Sequence, residues 1–242
     1  MSSFNEIKAL TFDTGGTILD WHTGFKKAFI DLGIKYKVER DWSKLANRLR
    51  RKSLIAMTNL GKEDSPKYNI DQAHRFILDK ILDEESLGIV SEKDRHHISW
   101  NVPHSFKCWE DFPENLSILR KKYIATSFTV LSHRMIIDTS KLNNLAWDAI
   151  FSCEGLKKYK LLPEAYEMTA NYLQLKPEEI CMVACHPLDL NAAKKVGFKT
   201  AMVKRYSEWG SEDPHNIKDI PKHQYDIVVD NFSDLVTELS KS

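Results

Sequence analysis

The segment Phe12-Asp13-Thr14-Gly15-Gly16-Thr17 places a carboxylate directly after a short, mostly apolar run, Ile7 to Phe12. An apolar run followed by glycines predicts a buried strand that ends in a tight turn. A carboxylate at the tip of a strand can act as a nucleophile, because it forms an ester with the substrate and divides a difficult hydrolysis into two easier steps. The alternative is structural, since an aspartate here also makes an ordinary Asx turn.

Three later segments also place polar side chains at or just beyond the ends of predicted strands. Ser127 follows one strand, Lys160 follows the next with Tyr166 six positions later, and Asp189 follows a third. A lysine can hold the charge and geometry of a nucleophilic carboxylate, and hydroxyl groups can bind a substrate anion. Each residue alone has a structural explanation as a turn hydroxyl, a solvated lysine or a helix-capping aspartate. Their order along the chain favours one shared site.

The elements that must position these residues alternate between strand and helix in the second half of the chain. Apolar runs predict strands at Ile7–Phe12, Tyr123–Thr126, Ala149–Ser152, Ile180–Ala184, Thr200–Val203 and Ile227–Val229. Helices are predicted at 131–142, 163–173 and 188–196, with a last one from about Ser233. This alternation predicts an α/β fold with a doubly wound, Rossmann-like parallel sheet. Ligands of such sheets bind at the carboxyl edge of the strands.

The stretch between the first two strands has helical periodicity, with breaks at Gly61 and Pro66. It therefore predicts an inserted helical cap over the carboxyl edge of the sheet. We expect a core domain formed by residues 1–18 and 112–242 and a cap domain formed by residues 19–111.

Composition excludes several classes of function. The net charge is +1, which gives no indication of a nucleic-acid partner. No apolar run approaches the roughly 20 residues of a membrane span, and the N-terminus lacks a secretory signal pattern. The four cysteines are too few and too scattered for a disulfide framework, and Cys181 and Cys185 lack zinc spacing. These features predict a soluble globular protein of the cytoplasm.

The order Asp-x-x-Gly-Thr, Ser/Thr, Lys, Asp resembles the haloacid dehalogenase superfamily, and within it the type II 2-haloacid dehalogenases. The resemblance runs nearly from end to end. Its most specific part is Val183-Ala184-Cys185-His186-x-x-Asp189-Leu190, with Ala192-Ala193 and Gly197. Other matching segments are Leu19-Asp20-Trp21, Trp109-Glu110-Asp111, Trp147-Asp148-Ala149-Ile150 and Tyr159-Lys160-Leu161-Leu162-Pro163-Glu164-Ala165-Tyr166.

The resemblance implies a role for each matching residue. Asp13 attacks the halogen-bearing carbon, Lys160 keeps Asp13 ionised, and Asp189 positions the groups, or the water, that open the ester. The remaining implied roles are support of the turn by Thr17, substrate contacts at Thr14, binding of the substrate carboxylate by Ser127, steadying of the network by Tyr166, and halide contacts from Arg50 in the cap and from His186.

Several alternatives stay open at this point. Thr129 and Ser132 compete with Ser127, because the Asn-Gly that usually follows the family's serine is replaced here by Phe128 and Thr129. Arg48 and Arg51 compete with Arg50. In addition, Gly15 stands where many dehalogenases carry an aromatic residue, and Leu161-Leu162 replaces Pro-Asp. His74 can face the site or pack within its helix.

The resulting expectation is hydrolysis of short 2-haloalkanoic acids to 2-hydroxy acids, on the L enantiomer with inversion, without a cofactor or a metal. A homodimer fits the resemblance, although no interface pattern is visible. One alternative is a magnesium-dependent phosphatase, but such enzymes generally carry a second Asp two positions after the nucleophile, where this chain has Gly15. Another is a protein of this fold without catalytic activity.

Overall fold

The computed structural model describes residues 4–59 and 68–241, and within them six strands form one parallel sheet. The strand order is β3-β2-β1-β4-β5-β6, so the chain starts near the middle of the sheet and winds outward in both directions. The predicted α/β, doubly wound fold is therefore confirmed. The strands are β1 Ala9–Phe12, β2 Ile124–Thr129, β3 Ala149–Ser152, β4 Ile180–Ala184, β5 Lys199–Val203 and β6 Ile227–Val229.

The nucleophile candidate follows the central strand. All four residues of β1 are buried, and Phe12 pairs with Ser127 of β2 and with Val183 of β4. The backbone N–H of Asp13 donates to the carbonyl of Val183 over 2.9 Å, so the ladder continues one residue beyond the strand. Because all strands run parallel, the residues that follow β1, β2 and β4 meet at one edge of the sheet.

Helices cover the sheet and fill the segment between β1 and β2. The structure has, in order, α1 Trp21–Tyr36, α2 Trp42–Asn59, α3 Ile70–Glu84, α4 Glu92–His96, α5 Phe112–Leu119, α6 His133–Leu142, α7 Cys153–Leu156, α8 Pro163–Leu173, α9 Pro187–Val196 and α10 Phe232–Ser240. Among the helices in the described ranges, none combines the length and apolarity that crossing a bilayer requires.

Helices α1 to α4 form the segment that the sequence predicted as a cap. The Asp20 side chain accepts a hydrogen bond from the N–H of Thr23 and so starts α1, as an N-cap does. An antiparallel bridge between Leu19 and Cys108 brings the two ends of this segment together. The domain boundaries at 18/19 and 111/112 stay a prediction, and the breaks at Gly61 and Pro66 lie outside the described residues.

The predicted strands are confirmed in number and order, with one difference that matters. The second strand was predicted to end at Thr126, but β2 continues to Thr129. The hydroxyl residues Thr126, Ser127 and Thr129 obscure its end in the sequence, although every residue from Ala125 onward is buried. The tip of β2 consequently lies at Thr129 and not at Ser127.

Four aromatic side chains pack beneath the start of the site. Phe112 lies 5.6 Å from Phe12, 5.8 Å from Trp147 and 4.7 Å from Phe232, measured between ring centroids. The contacts with Phe12 and Phe232 are edge-to-face, and aromatic pairs of this kind add to the free energy gained by burial. The cluster fixes Phe12, the residue directly before Asp13.

Replacing Phe112 by alanine should destabilise the protein by about 3–5 kcal/mol, because Phe112 is fully buried and its removal leaves a cavity. The free energy of unfolding in urea measures the effect. Ile89, which is 68% exposed, supplies the control, and its alanine variant should stay within about 0.5 kcal/mol of the wild type. A loss below about 1 kcal/mol for Phe112→Ala would show that the cluster does not stabilise this end of β1.

Candidate active site

Asp13 is buried, and both of its carboxylate oxygens have partners. Lys160 Nζ donates to Oδ1 over 2.7 Å. Thr17 Oγ1 donates to Oδ2 over 2.7 Å, and Nδ1 of His186 lies 2.9 Å from the same oxygen. Thr17 is itself held by the backbone N–H of Cys185, which donates to its hydroxyl over 2.9 Å. The turn after β1 and the end of β4 therefore position the carboxylate together.

Lys160 links Asp13 to a second buried carboxylate. Its Nζ lies 2.6 Å from Oδ2 of Asp189, and the hydroxyl of Tyr166 donates to the other oxygen, Oδ1, over 2.6 Å. Asp189 lies in the first turn of α9, where the helix dipole favours a negative charge. Tyr166 is fully buried behind Asp189 and does not line the cavity.

The charges of these groups fix their protonation states. Burial alone would raise the pKa of Asp13, but the positive charges of Lys160 and His186 outweigh it and hold that pKa far below its ordinary value. Burial opposes the charge of Lys160, and Asp13 and Asp189 together raise its pKa above the ordinary value. Burial, with the charge of Asp13, raises the pKa of Asp189. Asp13 is thus an anion although it is buried, and a carboxylate must be ionised to act as a nucleophile.

His186 connects Asp13 to a residue that the sequence did not single out. Its Nε2 lies 2.9 Å from Oε1 of Glu208, which is 2% exposed and also accepts a hydrogen bond from Trp21 over 3.0 Å. Glu208 follows β5 by five residues and has no strand-end or motif signal. The approach of its loop to the site depends on tertiary packing, and only the adjacent aromatic Trp209 indicates that the loop is buried.

Cys185, His186 and Glu208 are the described residues that could hold a metal ion, since their donor atoms lie within 4.8 Å of one another. Those atoms already contact each other: Cys185 Sγ lies 3.4 Å from His186 Nε2 and 3.5 Å from Glu208 Oε2. Burial raises the pKa of the Cys185 thiol to about 11, so it is neutral at pH 7. A metal would have to replace these contacts and deprotonate the thiol.

A cavity of about 250 Å³ opens against these groups and is lined by Asp13, Lys160, His186, Asp189 and Arg50. Sites for drug-sized ligands measure about 300–1,000 Å³, so this cavity suits a smaller molecule. Apolar side chains form most of the remaining wall, together with Gly15, Arg51 and His215; the apolar ones are Leu54, Ile55, Val130, Leu161, Leu188, Trp209 and Pro214. The cavity thus combines a few charged groups with an apolar wall.

Arg50 reaches the cavity from α2, as the sequence predicted for an anion-binding residue. It is 2% exposed, and its guanidinium donates to the carbonyl of Gly15 over 2.8 Å, while the buried Nε has no partner. The rival Arg48 pairs with Glu85, whereas Arg51 also lines the cavity but is half-exposed and pairs with Glu212. Arg50 therefore brings a buried, incompletely bonded cation to the site.

The structure does not bring Ser127 to the cavity. Ser127 is fully buried inside β2, its hydroxyl has no partner, and it pairs with Phe12, one residue before the nucleophile. Its rival Thr129 ends the strand, and its hydroxyl lies 2.6 Å from that of Thr14. Val130, the next residue, lines the cavity. Ser127 was preferred because the strand was predicted three residues too short. Thr14, which was expected to contact the substrate, does not line the cavity and instead contacts Thr129 at the end of the strand.

Two backbone positions account for departures from the family pattern. Leu161 has a φ of 77°, a value that the proline expected there cannot adopt. A positive φ is strained for leucine, and this strained residue directly follows Lys160. A Cβ at Gly15 would collide with the guanidinium of Arg50. Any larger residue at position 15 would therefore displace the arginine. His74 is fully buried within α3 against Phe25 and does not line the cavity.

Replacing Lys160 by methionine should destabilise the protein by about 3–5 kcal/mol at pH 7.5, because two buried carboxylates lose their shared cation. The folded-state pKa of Asp13 should then rise above its unfolded value, and that of Asp189, which is already raised, should rise further, so the folded variant binds more protons. Its deficit relative to the wild type should therefore shrink at pH 5.5. Urea unfolding at both pH values measures this, with the exposed Lys195→Met as control. A small, pH-independent deficit would contradict the buried ion bridge.

Comparison with known proteins identifies the family of this chain. The model of haloacid dehalogenase-like hydrolases matches residues 7–197. Two curated relatives are each 25% identical: (S)-2-haloacid dehalogenase 1 of Pseudomonas sp. (strain CBS-3), and (S)-2-haloacid dehalogenase 4A of Burkholderia cepacia. The first match covers 84% of this chain and 86% of the relative, and the second covers 98% and 97%.

Solved structures agree with the sequence comparison. The L-2-haloacid dehalogenase PA0810 superposes with a TM-score of 0.88 at 25% identity, covering 98% of this chain and all of that one. The defluorinating L-2-haloacid dehalogenase Rha0230 has the same TM-score at 28% identity, covering 97% of this chain and 95% of the other. The family match spans both the strand that precedes Asp13 and the strand that precedes Asp189. The chain belongs to the family of haloacid dehalogenase-like hydrolases.

Proposed function

We propose that this protein hydrolyses short 2-haloalkanoic acids to 2-hydroxy acids through an ester on Asp13. The observation that carries the proposal is an ionised, buried Asp13 at the wall of a small cavity, with the Arg50 cation on the same cavity. Displacement of halide from carbon needs an anionic nucleophile and a place for the departing anion. The names of the relatives, (S)- and L-2-haloacid dehalogenases, agree with this chemistry.

Each group has a part in the first step. A carboxylate oxygen of Asp13 attacks the halogen-bearing carbon from the side opposite the halogen, which inverts its configuration. Lys160 holds the carboxylate in place, and Arg50 binds the departing halide through its free Nε donor. Ser127 was expected to lie beside the substrate. Instead, the substrate would contact Val130, the residue directly after β2, because Val130 lines the cavity.

The second step opens the ester. Water attacks the carbonyl carbon of Asp13, and the bond between substrate carbon and oxygen stays intact, so the configuration set in the first step is retained. Asp189 and Tyr166 keep Lys160 oriented throughout. No step needs a cofactor. A homodimer and a cytoplasmic location stay predictions, which size-exclusion chromatography and cell fractionation can test.

The alternative function is a magnesium-dependent phosphatase on the same fold. Such an enzyme requires an acid near the leaving alcohol and several oxygen ligands for the metal. Gly15 offers no acid, and Arg50 occupies the space where a side chain at that position would lie. Asp189 is engaged by Lys160 and Tyr166. The arrangement favours displacement at carbon over phosphoryl transfer.

The wild type should release halide from chloroacetate or fluoroacetate, keep this activity in EDTA, and leave a generic phosphate ester intact. Asp13→Asn should lose turnover by several orders of magnitude while keeping its unfolding free energy within about 2 kcal/mol, because an amide has a similar shape but is a poor nucleophile. Halide release by Asp13→Asn at the wild-type rate would contradict the proposal. Activity only on the phosphate ester, lost in EDTA and restored by magnesium, would favour the phosphatase.

A further inference from the structure

His186 lies between two carboxylates that belong to different parts of the fold. Its Nδ1 is 2.9 Å from Oδ2 of Asp13, and its Nε2 is 2.9 Å from Oε1 of Glu208. The ring thus joins the nucleophile to a buried acid that none of the roles given above employs. It also lines the cavity, with about a fifth of its side chain exposed, so water can reach it.

The other groups beside Asp13 are poorly suited to accept a proton from water. Lys160 is a cation held by two carboxylates. Each oxygen of Asp189 already accepts a short hydrogen bond, one from Lys160 and one from Tyr166. Thr17 donates its proton to Asp13. Among the described residues that contact the Asp13 carboxylate, His186 is the one with a titratable nitrogen that can become a free acceptor.

The charge of His186 depends on the state of Asp13. Burial would lower the pKa of the imidazole, but the surrounding charges hold it well above its ordinary value. The Cys185 thiol is neutral at pH 7, so Glu208 and Asp13 carry this effect. His215, whose ring centroid lies 5.8 Å away, is another titratable group packed against the ring. When Asp13 becomes a neutral ester, one of the two supporting charges disappears and the imidazole loses its proton more easily.

We infer that His186, held by Glu208, is the general base that activates water to open the Asp13 ester, an inference that rests on the proposed function. After halide departs, the imidazolium releases its proton to solvent. The neutral ring then takes a proton from water as the water oxygen bonds to the carbonyl carbon of Asp13. The tetrahedral intermediate breaks its bond to the substrate oxygen, and that oxygen receives the remaining hydroxyl proton.

This sequence balances and returns the enzyme to its starting state. The ester, one water and a neutral imidazole become the Asp13 carboxylate, the hydroxy acid and an imidazolium. Over both steps a haloacid and water give a hydroxy acid, halide and one proton. The resting ion pair between Asp13 and His186 forms again without any other reactant.

Glu208 is a positioning residue in this scheme. It accepts a hydrogen bond from the indole of Trp21, which fixes the carboxylate, and it faces Nε2 of the imidazole. In the neutral ring the proton then stays on Nε2, shared with Glu208, and the lone pair of Nδ1 points to the former carboxylate of Asp13. General-base catalysis of this kind contributes about 10²–10⁴-fold to rate.

The test separates halide release from ester hydrolysis in the variant His186→Asn, with chloroacetate in excess over a known concentration of enzyme. Wild type should turn over continuously. The variant should release about one halide per enzyme in a burst and then slow by about 10²–10⁴-fold. Mass spectrometry of the peptide that contains Asp13 should find it heavier by the acetate group. The matched control is His133→Gln, on α6 and half-exposed, which should behave as the wild type.

The variant Glu208→Gln tests the positioning residue by a readout that a structural role would not change. Loss of the Glu208 charge lowers the pKa of His186 in the ester intermediate, so the pH at which the steady-state rate rises should be lower than in the wild type. The maximal rate at high pH should be slower, and the burst of halide should be unchanged. Steady turnover by His186→Asn at the wild-type rate would overturn this inference but not the proposed function. The same holds if His186→Asn releases no first halide while the wild type does. Absence of halide from wild type would overturn the proposed function as well.

Discussion

The charge of Asp13 depends on ion pairing in a place that water hardly reaches. An isolated carboxylate at 5% exposure would be protonated and inert, since burial favours its neutral form. Lys160 on one side and His186 on the other keep it ionised. Those cations need their own counter-charges, which Asp189 and Glu208 provide. The site is therefore a chain of alternating charges that crosses the carboxyl edge of the sheet.

The sheet order explains how such a chain of charges can be assembled from distant sequence. Strand β1 lies between β2 and β4, so the turn after β1 meets the residues that follow β4, and the short helix after β3 leads to Lys160. Arg50 joins from α2, which places a cation from the inserted helices over a glycine at position 15. That contact links the two parts of the chain at the point where the leaving anion would lie.

The sequence predicted much of this and failed where tertiary packing decides. Strand alternation and the glycine turn identified Asp13, Lys160 and Asp189, because each lies at a boundary that hydrophobic periodicity makes visible. Ser127 was misplaced, because threonine and serine occupy a buried strand as readily as a turn, and no local signal marked its end. Glu208 was missed, because it lies in an irregular loop whose approach to His186 depends on contacts more than 20 positions away.

The central claim is that Asp13 attacks the substrate carbon and that water then attacks Asp13. A single turnover of chloroacetate in water labelled with heavy oxygen, with enzyme in excess, tests it most directly. The product hydroxyl should carry unlabelled oxygen from Asp13, and mass spectrometry should find the label in the peptide that contains Asp13. Labelled product from an enzyme that stays unlabelled would mean that water attacks the substrate directly, and would contradict the covalent account.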